Sequence, residues 1–151
     1  METRINIHEK GQGALKALFG IGTYLKKSTL PQELVELILF RVSQINKCAY
    51  CLDMHYKDAR SKGETEQRLY GMSAWEESPY YSERERAAFA WAEAVTAAII
   101  IPESLHTEIR KHFTDEEVID LTLTITTINT WNRINHAFAN EPGTYKVGAF
   151  G

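Results

Sequence analysis

Cysteine is scarce in this 151-residue sequence, with two residues in all, which excludes a domain stapled by several disulfides. Hairpin signals are missing as well. No Asn-Gly or Asp-Gly pair occurs, and period-2 alternation is confined to the Thr-rich stretch from Leu121 to Ile125, so a β-sheet fold has little support. Positive charge is in deficit: 17 Lys and Arg face 20 Asp and Glu, a net charge of −3, and the pI is near 6.0. Neither nucleic acid nor an anionic membrane surface is therefore an expected partner. No apolar run reaches bilayer length; the longest, Ala87 to Ile101, is interrupted by Glu93 and reads as a buried helix. The start Met1-Glu2-Thr3-Arg4-Ile5-Asn6 lacks the basic and then apolar segments of a signal peptide, so the expected location is the cytoplasm. Thiols rest reduced there, and any disulfide would be transient and functional.

What is present suits one soluble domain spanning residues 1–151. A 44% hydrophobic fraction with 25% charged residues is ordinary for a globular protein, and the length suffices for a real core. The pattern is helical almost throughout. Gly11 to Lys27 carries Leu15, Leu18, Phe19, Tyr24 and Leu25, but Gly11, Gly13, Gly20 and Gly22 predict a weak or broken helix. Pro31 suits a first turn, after which Leu34, Leu37, Ile38, Arg41, Val42 and Ile45 recur at helical spacing to about Asn46. A helix from about Lys47 to Ser61 follows, with Asn46 as its expected N-cap and Gly63 as its stop. Glu64 to Gly71 reads as a short helix, and Ser73 to Tyr81 as an aromatic-rich connection. Ser82-Glu83-Arg84-Glu85 and Thr114-Asp115-Glu116-Glu117 have the form of capping boxes, opening helices to Ile99 and to Phe138. Pro102 starts a short helix toward His112. The tail from Glu141 to Gly151 is expected to lie extended against the surface or a neighbouring subunit.

Both cysteines fall in one segment, Cys48-Ala49-Tyr50-Cys51-Leu52-Asp53-Met54-His55. A helix turns by about 100° per residue, so Cys48, Cys51 and His55 share a narrow face. Thiolate is the nucleophile, and an ordinary cysteine with a pKa of about 8.5 is mostly protonated at neutral pH. The N–H groups at a helix start stabilise negative charge, and His55 is suited to take up a proton. Cα atoms three apart in a helix lie roughly 5 to 6 Å from one another, within disulfide reach. The pair can thus open and close without refolding. Such a site suits attack on an oxidant, a sulfenic acid, and resolution by the second cysteine.

Rival readings of the same residues are two buried small side chains, since free cysteine packs as a small hydrophobe, and a zinc site drawing on Cys48, Cys51, His55 and Glu36. Structural zinc normally takes its ligand pairs from two separate loops or turns, which disfavours the metal.

Together with Glu36 on the preceding helix, the pattern becomes Glu36…Cys48-x-x-Cys51-x-x-x-His55. It resembles the AhpD-like alkylhydroperoxidases, a branch of the carboxymuconolactone decarboxylase superfamily. The likeness extends through Leu69 to Glu93, with Trp75 and Trp91-Ala92-Glu93, and to Trp131-Asn132-Arg133, covering about two thirds of the chain. The resemblance implies an all-α helical bundle with the C-x-x-C motif at a helix N-terminus. It also implies a thiol-dependent peroxidase without a cofactor or metal, acting on organic hydroperoxides or hydrogen peroxide in antioxidant defence. Carried over by position, Cys51 attacks the peroxide, Cys48 resolves it, and Glu36 and His55 relay the proton. The implied partners are a small-molecule peroxide, a dithiol reductant such as a lipoyl-type carrier protein, and further copies of the chain in a dimer, trimer or hexamer. One departure is Tyr50, which stands where the best-characterised members carry a histidine and which, with a pKa of about 10, cannot act as base at neutral pH. A non-enzymatic redox switch or a disulfide oxidoreductase-like binding protein is the alternative; decarboxylation is less natural because that branch lacks the cysteine pair.

Among the remaining side chains, His8, His106, His112 and His136 read as surface or capping residues. Trp75, Trp91 and Trp131 read as core or interface aromatics, with Trp75, Tyr80 and Tyr81 as candidates for a substrate entrance. Arg133, beside Asn132 on an otherwise apolar helix, calls for a buried or interfacial ion pair.

Overall fold

The computed structural model describes residues 4–150, and among these all regular structure is helical. The order is α1 (Ile7–Lys10), α2 (Gln12–Leu25), α3 (Gln32–Ile45), α4 (Ala49–Ser61), α5 (Glu66–Gly71), a 3-10 turn at Met72–Ala74, α6 (Glu83–Thr96), α7 (Glu103–Ile109) and α8 (Asp115–Phe138). Among the described residues no helix is long and apolar enough to cross a membrane.

The central element is α3, which packs against α4, α6 and α8. Its Leu37, Ile38 and Val42 lose all contact with solvent and meet Phe89 and Ala92 of α6 and Leu121, Ile125 and Ile128 of α8 within one core. Burying such side chains contributes about 1.5–3 kcal/mol each. Alanines at 87, 88, 92 and 94 give α6 a thin inner face that admits its neighbours closely. A buried-side tie supports the same contact: Arg41 of α3 pairs with Glu93 of α6 at 2.8 Å, and the Trp75 indole N–H donates to that carboxylate at 2.8 Å. Glu93, the charge that breaks the apolar run, is thus placed to be neutralised. Both capping boxes form, Ser82 with Glu85 and Thr114 with Glu117, satisfying helix-start N–H groups that would otherwise lack partners.

Four local expectations are corrected. First, α2 is one continuous helix despite Gly13, Gly20 and Gly22. Tertiary contacts outweigh the glycine penalty: Phe19 lies against Trp131 with ring centroids 5.4 Å apart, and the Tyr24 hydroxyl donates to Asp120 at 2.8 Å. Second, Asn46 does not cap α4. It closes α3, while its side chain donates across to Asn129 and Asn132 of α8 at 2.8 and 2.9 Å. The N-cap of α4 is Cys48 itself. Third, Arg133 makes no buried ion pair. It is exposed and donates to the backbone and side-chain oxygens of Asn129 one turn back, whereas Asn132 is the residue that α8 turns inward. Fourth, the tail lies against the surface as expected but in turns rather than extended. Lys57 of α4 donates to the carbonyls of Gly143 and Tyr145, and the buried Tyr145 hydroxyl donates to Asp58 at 2.8 Å, drawing the tail across α4.

The turn between α3 and α4 is a Schellman motif without glycine. Lys47 adopts the left-handed conformation at φ 55°, its N–H reaches the Gln44 carbonyl at 3.1 Å, and the Cys48 N–H reaches the Ser43 carbonyl at 3.1 Å. Such positions ordinarily carry glycine, because a Cβ is strained there by roughly 1–2 kcal/mol. The far end of α4 uses the same device with the ordinary residue, Gly63 at φ 96°. We therefore expect Lys47→Gly to be neutral or to stabilise the fold by up to about 1 kcal/mol, and Lys47→Val to destabilise it by about 1 kcal/mol or more. Urea midpoints of the two variants check this; a less stable Lys47→Gly contradicts the strained turn.

Candidate functional site

Because Cys48 sits both just past α3 and at the N-cap of α4, the cysteine pair begins where α4 leaves the core. Cys48 and Cys51 are joined as a disulfide with Cα atoms 5.3 Å apart, and both are fully buried. Each sulfur receives one N–H. Cys48 Sγ accepts from the Cys51 backbone N–H at 3.3 Å, as an N-cap side chain does, and Cys51 Sγ accepts from the Asn135 amide of α8 at 3.3 Å.

One turn further along α4, His55 meets Glu36 of α3, its Nδ1 3.5 Å from Glu36 Oε2. Both side chains are over nine-tenths buried, and among the described residues Glu36 Oε2 and both ring nitrogens of His55 have no hydrogen-bonding partner. At that length the contact is electrostatic rather than a formed hydrogen bond. The other carboxylate oxygen of Glu36 pairs with the Lys62 ammonium at the end of α4. Burial pushes the Glu36 carboxyl up, but His55 and Lys62 together outweigh it and hold the group below its ordinary value. It is therefore a carboxylate at neutral pH, facing an imidazole that has capacity for a proton.

These groups line one end of a cavity of about 440 Å³. Its wall includes Tyr50, Met54, His55 and Asn135, which surround the cysteine pair along α4 and across on α8, and its body is apolar, with Phe19, Leu25, Val35, Leu39, Ile128 and Trp131. The tail adds Val147 and Phe150 to its rim, the latter stacked on Tyr145 at 5.7 Å. Burial first, and then the hydrogen bond to Asp58, push the Tyr145 phenol up to about 12, so it is a donor at neutral pH.

Of the residues named from the sequence, Glu36 and His55 meet on the cavity wall, and Cys48 and Cys51 are bonded to each other at the start of α4, buried rather than part of that wall. The substrate entrance does not fall where the aromatic connection suggested. Trp75 and Tyr81 belong to the core, and the wall uses Trp131, Phe19 and Tyr50 instead. The zinc set weighed from the sequence is not the set the fold assembles, because the two sulfurs are bonded to each other. Among the described residues the donors that converge are Glu36, His55 and Asp58, within 4.8 Å of one another. Those three are the residues placed to hold a metal, but Lys62 already neutralises Glu36 and Tyr145 already occupies an oxygen of Asp58. Asn135, Asp58, Lys62 and Tyr145 were missed. A signal for Asn135 existed: the inward stripe Leu121, Ile125, Ile128 of α8 is continued at helical spacing by Asn132 and Asn135, both buried.

Comparison with known proteins adds the following. Residues 12–94 match the model of the carboxymuconolactone decarboxylase family. The uncharacterized protein YdfG of Bacillus subtilis (strain 168) is 41% identical over 143 residues, covering 93% of this chain and 97% of that protein. A crystal structure from Agrobacterium tumefaciens, of a protein of unknown function for which a role in antioxidant defence as AhpD has been suggested, superposes with a TM-score of 0.90 at 41% identity, covering 95% of this chain and 100% of that one. An uncharacterized peroxidase-related protein from Silicibacter sp. TM1040 gives a TM-score of 0.79 at 28% identity, over 91% of this chain and 74% of the other.

The lowered Glu36 value carries a pH signature. A carboxyl whose folded value lies below its ordinary 4.5 contributes stability that is complete above that pH and disappears as pH falls through the folded value. Wild type should therefore exceed Glu36→Gln in stability at neutral pH, with the gap closing in acid. Urea unfolding of both proteins over a pH series measures the gap, and a constant difference contradicts the assignment.

Proposed function

Since the chain belongs to the carboxymuconolactone decarboxylase family and to its AhpD-like branch, we propose that it is a thiol-dependent peroxidase that reduces organic hydroperoxides in antioxidant defence. The observation that carries this reading is a bonded Cys48–Cys51 pair buried at the start of α4, followed one turn later by His55, which meets Glu36 on the wall of a cavity.

In the reduced protein His55, one turn beyond Cys51 on α4, takes the Cys51 proton, with Glu36 compensating the positive charge. The Cys51 thiolate attacks the terminal oxygen of the hydroperoxide. The O–O bond breaks, the alkoxide takes a proton from the imidazolium and leaves as an alcohol, and sulfur is oxidised to sulfenic acid. Cys48 then attacks the Cys51 sulfur as its thiolate. The S–S bond forms, and hydroxide leaves and takes up the proton that Cys48 gave up, departing as water. A dithiol reductant, of the kind a lipoyl-type carrier presents, returns two electrons and two protons and restores the pair. The N-cap position favours a thiolate on Cys48 for that resolving step, through the N–H it accepts and the helix dipole.

The apolar wall fits an organic hydroperoxide better than hydrogen peroxide, which has no surface to bury there. The cavity also favours an enzyme over a non-enzymatic redox switch, which needs a disulfide but no ligand-sized cavity near it. The reading extends to a cytoplasmic protein working as a homo-oligomer, a dimer, trimer or hexamer. Supporting this, α2 leaves Phe19 and Tyr24 half exposed, and Ile119 of α8 is 64% exposed, apolar surface that a second copy would cover.

Peroxide consumption coupled to a dithiol reductant tests the reading. We expect Cys51→Ser to abolish turnover and His55→Ala to lower kcat/KM by about 10²-fold or more. Full turnover by Cys51→Ser, or none by the wild-type protein with any organic hydroperoxide or dithiol supplied, overturns it.

A further inference from the structure

Cys51 lies one turn inside α4 with no exposed surface, so water does not solvate its sulfur, and a buried thiolate without a donor is strongly disfavoured. Cys48 draws its N–H from its own helix. For Cys51 the donor arrives from another element, the Asn135 amide of α8 at 3.3 Å. The orientation of that amide is determined by its other contacts. Its nitrogen also donates to the Trp131 carbonyl at 3.0 Å, which has no proton to give, and its oxygen accepts from the Asn140 side chain. A flipped amide would set oxygen against oxygen at Trp131 and nitrogen against nitrogen at Asn140. Both Asn135 hydrogens are thereby committed, one to Trp131 and one to Cys51, and Asn140, just past the end of α8, holds the group in place.

We infer that Asn135 is a thiolate-stabilising residue that makes Cys51 the attacking cysteine, with Asn140 as the positioning residue that aims it. A hydrogen bond to an ionised sulfur is stronger than one to a disulfide or thiol sulfur. The amide therefore favours the ionised, reduced state of Cys51 at a place where the helix start, which serves Cys48 directly, acts less strongly. It also makes the disulfide easier to reduce, since the donor gains strength when the S–S bond opens and negative charge settles on Cys51. In this way the two sulfurs are differentiated by the source of their donor: a local backbone N–H for the resolving cysteine, a side chain from α8 for the attacking one. The inference rests on the proposed reading only for the order of the two cysteines.

The test uses the full chain with Cys48→Ser, so that one thiol titrates, and follows the ultraviolet absorption of the thiolate against pH. We expect Asn135→Leu, which keeps the shape and removes the donor, to displace the midpoint to higher pH and to lower the ionised fraction at neutral pH about tenfold. Asn135→Asp, which substitutes a like charge, should displace it at least as far. Asn140→Ala leaves Asn135 in place and should move the midpoint in the same direction by less, which keeps the test decisive if a change at position 135 impairs folding. A folded Asn135→Leu or Asn140→Ala protein that titrates as its parent does overturns the inference. No peroxide enters the titration, so an inactive protein with an Asn135-dependent midpoint sinks the peroxidase reading alone, and an active one with an indifferent midpoint sinks this inference alone.

Discussion

A backbone reversal of two residues governs the site. Asn46 and Lys47 turn the chain from α3 into α4, and the bond from the Cys48 N–H to the Ser43 carbonyl locks the reversal. Because so little chain separates the helices, α4 returns beside α3, which brings His55 against Glu36 and Lys62 against the same carboxylate. Moving the turn by one residue would rotate α4 by about 100° relative to α3. The cysteines, the imidazole and the acid would then no longer face one region. The left-handed Lys47 is the conformational strain accepted for this register.

Polar groups inside the bundle divide into two kinds. Asn46, Asn129, Asn132 and Ser43 satisfy one another, and they tie the end of α3 to α8 just where the turn begins. A satisfied buried network of that sort specifies register, since any slip would leave donors without acceptors. Glu36 and His55 are the opposite case. They face the cavity rather than a protein partner, and buried ionisable groups of that kind collect where chemistry is done. The core around them is closed by Phe89, Leu37, Ile38 and Ile125, which are fully enclosed.

Legibility in the sequence followed the range of the interactions involved. Both capping boxes act within four residues, and α6 and α8 begin where Ser82 and Thr114 indicate. The C-x-x-C spacing is local too, so the closeness of Cys48 and Cys51 was readable, although Cys48 caps α4 rather than sharing its face, and likeness to a family supplied Glu36. What escaped depends on contacts between distant segments. Gly13, Gly20 and Gly22 argue against a helix until Trp131 and Asp120 are placed beside it. Asn46 reads as a cap for the next helix because nothing nearby shows that its amide belongs to α8. Arg133 and Asn132 are adjacent, and only the rotation of α8 decides that the asparagine faces in. Asn135 continues the buried stripe of α8 but went unread, and nothing local marks it as the partner of a sulfur.

The account turns on Cys51 being the atom that peroxide oxidises and Cys48 the one that closes the bond. The most direct measurement is a single turnover: reduced protein mixed with one equivalent of an organic hydroperoxide, with the products identified by mass spectrometry. The account predicts one Cys48–Cys51 disulfide for each peroxide consumed, and in Cys48→Ser a sulfenic acid trapped on Cys51. Persistence of both thiols with the peroxide intact, or a sulfenic acid found on Cys48 in Cys51→Ser at the same rate, would contradict it.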